Sequence, residues 1–258
     1  MRKSKTLERL QDGKISRVAC LGHYIPSFVA HAARSGYDCI WLDLEHRALE
    51  VREVQALLNL FHLHDIDCMV RPPTREKAQL YRYLEDGASG LMIPHVNTAE
   101  EARQLVSAVK FPPIGDRGLD GAGMDSNFLE SSDVMAFAEA ANQETFLTIQ
   151  IETPQAVDNC EEIIAVEGVD LIFVGPGDLG LRYRQAGDHD GQMLEAAFEK
   201  VASACAKYGK AWGCPAGTPE AIRQRYGQGA RFLANFGEYV HIMNGLNESI
   251  QHFAEYES

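Results

Sequence analysis

Phe146-Leu147-Thr148-Ile149-Gln150-Ile151-Glu152 is the stretch on which the fold is read. Side chains along a strand alternate between two faces. Leu147, Ile149 and Ile151 therefore share one face, and Thr148, Gln150 and Glu152 share the other. The apolar face suits packing against helices. The polar face suits a barrel axis, with Glu152 at the carboxyl end, where such barrels carry their chemistry.

Working outward, seven more apolar runs read as strands: Val18–Leu21, Cys39–Leu42, Cys68–Val70, Leu91–Ile93, Leu171–Val174, Ala211–Gly213 and Phe232–Ala234. Segments with helical spacing lie between them: Ser27–Arg34, Val51–His64, Arg75–Glu85, Ala99–Lys110, Ser132–Asn142, Pro154–Val166, Met193–Tyr208 and Pro219–Tyr226, with a last one from Tyr239. Strands that alternate with helices indicate parallel βαβ units. Eight units in 258 residues predict a TIM-type (β/α)8 barrel as a single domain over residues 1–258, close to the ~250 residues typical of that fold. No GxGxxG follows the first strand, so a dinucleotide-binding fold has no support. One long irregular stretch, Phe111–Leu129, is rich in Gly and Pro, and loops of that length are usually functional or disordered.

Composition narrows the function classes. Apolar residues make up 45% and charged residues 24%, ordinary values for a soluble enzyme. A net charge of −13 argues against nucleic acid or an anionic membrane as partner. The polar start MRKSKTLERLQDG lacks the apolar core of a signal peptide, and no run approaches the ~18 apolar residues of a membrane span. Six scattered cysteines without a CxxC read as free thiols, so a cytoplasmic location is expected.

Polar residues recur just after the strands. The second runs into Asp43-Leu44-Glu45-His46, the third ends in Arg71, the fourth in Pro94-His95, and the sixth in Gly175-Pro176-Gly177-Asp178. Each has a plain alternative: Asp178 could cap a helix, His46 could brace a loop, and Arg71 could pair with Asp43. Together they would put two carboxylates, a histidine and an arginine on one ring. Oxygen donors suit Mg²⁺ or Mn²⁺. Such a metal can chelate a 2-oxo acid and polarise its carbonyl, an arginine can stabilise the resulting oxyanion, and a histidine can move the proton. All the lysines fall on helices, on the amino-terminal arm or just before a strand, which argues against a Schiff base.

The stretches GYDCIWLDLEH (36–46), VRPP (70–73), YLEDGASGLMIPHVNTAEEA (83–102), PPIGDRG (112–118), IQIETPQAVDN (149–159) and GVDLIFVGPGDL (168–179) resemble the HpcH/HpaI family of class II pyruvate aldolases. The resemblance implies a metal-dependent lyase that cleaves or forms 4-hydroxy-2-oxo acids through a metal-bound pyruvate enolate, giving pyruvate and an aldehyde. It implies Glu152 and Asp178 as ligands of a divalent cation, Mg²⁺ or Mn²⁺ first, with Co²⁺ or Zn²⁺ as alternatives. Gln150, Asp178 and the backbone around Gly177 would hold the pyruvate end. Arg71 would stabilise the enolate, and His46 would be the base, with Asp86 raising its basicity. Asp43 would stand behind them. A plain reading instead makes Asp86 the end of a helix before Gly87, able to reach His46 only across a subunit contact or a bent connection. His95 resembles positions without a catalytic role. The family also implies a homo-oligomer, a hexamer built as a trimer of dimers that exchange their last helix. On that helix Val240, Met243, Leu246, Ile250 and Phe253 form an apolar stripe.

The chain departs from the family pattern at Arg47-Ala48, at Gly180-Leu181-Arg182-Tyr183-Arg184 and at Phe232–Tyr239. These positions bear on the aldehyde partner: Arg182 and Arg184 would meet an acidic aldehyde or stand in solvent. His23 is expected at the border of the pocket. Two other functions stay open. One is a thioester lyase of the citramalyl- or malyl-CoA type, which a basic CoA-binding patch would favour. The other is a catalytically silent barrel used for regulation or assembly, which the joint presence of His46, Arg71, Glu152 and Asp178 disfavours.

Overall fold

The computed structural model describes residues 1–128 and 133–256, and its eight parallel strands close into a barrel in chain order. They are β1 (Ser16–Leu21), β2 (Cys39–Asp43), β3 (Asp67–Arg71), β4 (Gly90–Ile93), β5 (Phe146–Ile151), β6 (Leu171–Val174), β7 (Ala211–Pro215) and β8 (Phe232–Gly237). Every strand read from the sequence is present. Several extend by one to three residues into polar ends that the apolar pattern could not mark.

The helices are α1 (Lys5–Gln11), α2 (Pro26–Arg34), α3 (Val51–Leu63), α4 (Lys77–Glu85), α5 (Ala99–Val109), α6 (Val134–Glu144), α7 (Pro154–Asp158), α8 (Cys160–Ile164), α9 (Pro176–Gln185), α10 (Gln192–Tyr208), α11 (Pro219–Gly227) and α12 (Glu238–Ile250). Their starts follow capping chemistry. Thr98 accepts from the Glu101 N–H while the Glu101 carboxylate accepts from the Thr98 N–H, a capping box at the start of α5. Gly209 ends α10 in the left-handed region at φ 62°.

Three features differ from the expected pattern. The helix expected over Pro154–Val166 breaks at Asn159, whose φ and ψ are −92° and 8° and whose side chain donates to the Asn97 carbonyl at 2.8 Å. α9 went unread because Gly177 and Gly180 weaken its helical signal. α1 went unread because only Leu7 and Leu10 mark an apolar face; both pack against the barrel's interior cluster. Leu129 and Ser132, at the ends of two expected segments, lie outside the described residues.

Two apolar layers hold the barrel. Leu147, Ile149 and Ile151 face outward into the large cluster between strands and helices. Met69, Met92, Phe146, Phe173 and Phe232 fill the interior, with Phe173 and Phe232 edge to face at 6.1 Å. Full burial of a side chain of this kind contributes roughly 1.5–3 kcal/mol. Thr148 belongs to the inner face, where its hydroxyl lies 3.5 Å from the Met69 sulfur. Below, Asp67 collects Arg2 at 2.7 Å, the Ser4 hydroxyl at 2.7 Å and the Thr6 N–H at 2.8 Å, which fixes the amino-terminal arm across the base.

Candidate active site

Asp43 and Arg71 end adjacent strands and are register partners in the β2–β3 ladder. The Arg71 Nε and Nη2 donate to the two Asp43 oxygens at 3.0 and 2.8 Å, a bidentate pair. The Trp41 ring lies under the guanidinium at 4.5 Å. Burial pushes the Asp43 carboxyl up, but the Arg71 guanidinium outweighs it and the net shift is downward. Asp43 also accepts from the N–H groups of Glu45 at 3.1 Å and His46 at 3.4 Å, which shapes the turn that carries them. The pairing read as the plain alternative for Arg71 is thus present, at the strand ends where the resemblance places the chemistry.

Glu45 links this pair to the next. One of its oxygens lies 3.1 Å from Arg71 Nε and 3.6 Å from His46 Nε2. The other lies 3.2 Å from His95 Nε2. His95 follows β4 with φ at 59°, a conformation uncommon for a residue with a side chain. Its N–H donates to Glu152 Oε1 at 2.7 Å, and its Nδ1 faces the same oxygen at 3.0 Å. The Gln150 amide donates to Glu152 Oε2. Gly175 makes this ring possible: a Cβ there would stand 2.7 Å from Gln150 Nε2 and 2.9 Å from Glu152 Cβ.

Glu152 is 1% exposed and has no lysine or arginine partner among the described residues. Burial raises its pKa, His95 opposes the shift, and the Glu45 and Asp178 charges add to it. Asp178 sits in the first turn of α9, half exposed, with Arg182 3.1 Å from its carbonyl and 3.4 Å from its carboxylate. Gly177 precedes it with open space around its Cα. Among the described residues no group of three or more His, Cys, Asp or Glu side chains is already arranged around a cation position. The donors still fit one. A carboxylate raised by burial, with two further acids near it, suits a hard dication, and the buried Gln150 Oε1 has no partner among the described residues.

His46 is exposed at the rim. Asp86 is elsewhere. It caps the end of α4, accepts from the Gln55 amide at 3.1 and 3.2 Å, and lines a 910 Å³ cavity on the outer wall with Gln55, Arg82 and Phe128. The structure does not bring Asp86 to His46 within one subunit. Arg184 is exposed, while Arg182 turns to Asp178. Sequence reasoning missed Glu45 and His95 as members. The available signal was positional: each follows a strand end, as His46 and Glu152 do.

A second cavity, 290 Å³, opens on the other side of Asp43 at the carboxyl ends of β1, β2, β7 and β8. Glu238 borders it, 2% exposed, and holds the Gly22 N–H at 3.0 Å and His23 Nδ1 at 2.5 Å. His23 stands beside the cavity through this contact without lining it. Cys20 also lines this cavity, but burial pushes its thiol up to about 12, so it stays protonated.

Comparisons with known proteins agree with the barrel fold. Over 234 residues the chain is 32% identical to the 2-dehydro-3,6-dideoxy-6-sulfogluconate aldolase of Pseudomonas putida, covering 89% of this chain and 91% of that protein. It is 33% identical to the 2-keto-3-deoxy-L-rhamnonate aldolase of Escherichia coli (strain K12), covering 88% and 84%. Among solved structures, an HpcH/HpaI aldolase from Desulfitobacterium hafniense DCB-2 superposes with a TM-score of 0.89 at 29% identity, covering 96% of each chain. Residues 22–237 match one family as a whole. The chain belongs to the HpcH/HpaI aldolase/citrate lyase family.

Proposed function

We propose that this protein is a metal-dependent aldolase, a carbon–carbon lyase that interconverts a 4-hydroxy-2-oxo acid with pyruvate and an aldehyde. The observation that carries the reading is Glu152, a buried carboxylate beside Gln150, Glu45 and Asp178 with no lysine or arginine partner among the described residues. Glu152 and Asp178 would hold the cation, Mg²⁺ or Mn²⁺ by their hard oxygen donors. When bound, it would supply Lewis-acid polarisation of the 2-oxo group.

The chain's own groups divide the remaining work. The Gln150 amide and the N–H groups around Gly177, at the start of α9, orient the pyruvate carboxylate. In cleavage His46 takes the proton of the 4-hydroxyl. The C3–C4 bond then breaks, its electrons pass into the pyruvate enolate, and the aldehyde carbonyl forms. Arg71, held flat by Asp43 and Trp41, faces the oxyanion that develops. A proton delivered to C3 completes pyruvate. In synthesis the steps run in reverse.

The assembly belongs to the same reading. On α12 only Glu238 is buried, while Met243, Leu246 and Ile250, with Phe253 in the short 3₁₀ helix that follows, are 54–62% exposed. A 670 Å³ groove lined by Ile15, Tyr37, Ile222, Tyr226 and Leu233 lies open beside β1 and β8. An exposed apolar stripe and an open apolar groove suit exchange of α12 between copies, and a hexamer of such dimers. Asp86 then serves the His46 of a neighbouring copy. No helix among the described residues is long and apolar enough to cross a membrane.

The deciding experiment is pyruvate release from a panel of 4-hydroxy-2-oxo acids, run with chelator and then with Mg²⁺, Mn²⁺ or Co²⁺ restored. Activity that survives complete chelation overturns the reading, as does a borohydride-trapped pyruvate adduct.

A further inference from the structure

The 290 Å³ cavity shares the wall that Asp43 and Trp41 form, so it lies next to the place where the aldehyde is made or consumed. Its charged lining is unequal. Asp43 has both oxygens engaged by Arg71, and Glu238 is held by His23 and the Gly22 N–H. Arg47 lines the same cavity and, among the described residues, has no carboxylate within ion-pair distance. Its one hydrogen bond runs from Nη1 to the carbonyl of His46 at 2.9 Å, which leaves the rest of the guanidinium fork open.

Arg47 is also placed rather than loose. Its side chain crosses the mouth against Gly22, where a Cβ would stand 2.7 Å from Arg47 Cγ and 3.1 Å from Nε. Only a residue without a side chain leaves room for that path. Trp41 lines the same cavity, and its buried Nε1–H has no acceptor among the described residues. A guanidinium fork matches a carboxylate, phosphate or sulfonate in two parallel hydrogen bonds. In a chain of net charge −13, a local cation of this kind is what brings an anion to the barrel mouth.

We infer that the aldehyde partner carries an anionic group at the end away from its carbonyl, and that Arg47 binds that group. The inference rests on the aldolase reading above. In the synthetic direction C3 of the pyruvate enolate bonds to the aldehyde carbon. The carbonyl electrons move onto oxygen, which takes the proton held by His46. Arg47 is the next residue along, about 3.8 Å away at the backbone, so it meets the tail of a short aldehyde whose carbonyl faces His46.

The test measures kcat/KM for aldol addition of pyruvate to three acceptors: succinic semialdehyde, glyceraldehyde 3-phosphate and uncharged glyceraldehyde. Exchange of the pyruvate methyl protons with deuterated water in the unmodified protein serves as a control that needs no aldehyde. The unmodified protein should prefer a charged acceptor, and the better of the carboxylate and the phosphate identifies the anion. Arg47→Ala should lower the charged-over-neutral ratio about 10- to 100-fold, the worth of a hydrogen bond to a charged group, chiefly through KM. Arg47→Lys should restore part of the ratio. Exchange with no preference for a charged acceptor overturns the inference, as does an unchanged ratio in Arg47→Ala. Loss of exchange itself, with metal present, instead overturns the aldolase reading.

Discussion

His95 holds Glu152 twice: its N–H and its Nδ1 converge on the same Oε1, at 2.7 and 3.0 Å. The backbone sits at φ 59° to allow it, and strain of this kind persists where the surroundings over-determine it. His95 therefore positions the carboxylate proposed to hold the metal. Removing a group that orients a metal ligand typically weakens binding about 10- to 100-fold. His95→Ala should do so for Mn²⁺, measured by calorimetry. An unchanged Kd would reduce His95 to a rim residue.

Arg71→Ala should affect two things. Turnover should fall by about 10²–10³, the usual loss when a group that stabilises developing charge is removed. Stability should also fall, because Asp43 loses its guanidinium while it stays partly buried, and breaking such a pair costs up to about 3–5 kcal/mol. Steady-state kinetics and urea unfolding check the two separately. Normal turnover with only a raised KM would remove Arg71 from the chemistry.

His46→Ala should lose about 10²–10⁴ in rate, the span of general acid–base catalysis. Metal binding should survive, since the proposed ligands lie on other strands. Exchange of pyruvate methyl protons should slow in parallel. A variant that exchanges at the normal rate would move the base to another group, with His23 beside Glu238 the first to test.

Asp86 gives a prediction with a pH sign. Burial raises its carboxyl above the usual range, against the Gln55 amide and Arg82. A raised carboxylate favours folding fully below its unfolded pKa, and that contribution is lost as pH rises through the folded value. Near neutrality Asp86→Asn should therefore not lower Tm. If Asp86 serves His46 of a neighbour, the same variant should still lose turnover. Full activity in Asp86→Asn would confine the residue to its helix end.

Leu246→Asp on the exposed stripe of α12 should drive the assembly apart. Light scattering should find the unmodified protein at a multiple of 28.6 kDa and the variant near a single chain. A monomer in both cases removes the exchange proposal.

The barrel was legible because its strands are short apolar runs separated by helices of regular spacing, and β6 matches its expected bounds residue for residue. The ends were less so: Arg71, Asp43 and Gly237 belong to strands whose last residues are polar or small. Asp43, His46, Arg71, Glu152 and Asp178 could be singled out because each follows or closes a strand, and Gln150 because it shares the inner face of β5 with Glu152; the roles proposed for them came from the family resemblance. The joining role of Glu45 and His95 could not be read this way. It depends on which rotamers meet across neighbouring loops, and on a left-handed backbone at His95 that no sequence spacing announces. For Asp86 the plain reading, the end of a helix before Gly87, is the one present: it caps α4 and accepts from the Gln55 amide.

The exposed stripe of α12 has a consequence for dilution. Among the described residues nothing fills the apolar groove beside β1 and β8. If a second copy fills it, folding and association become one equilibrium, and stability follows protein concentration by mass action. Thermal midpoints would then climb across a concentration series instead of staying level. Activity assayed at nanomolar protein would fade with time as copies part, and added inert protein would not restore it.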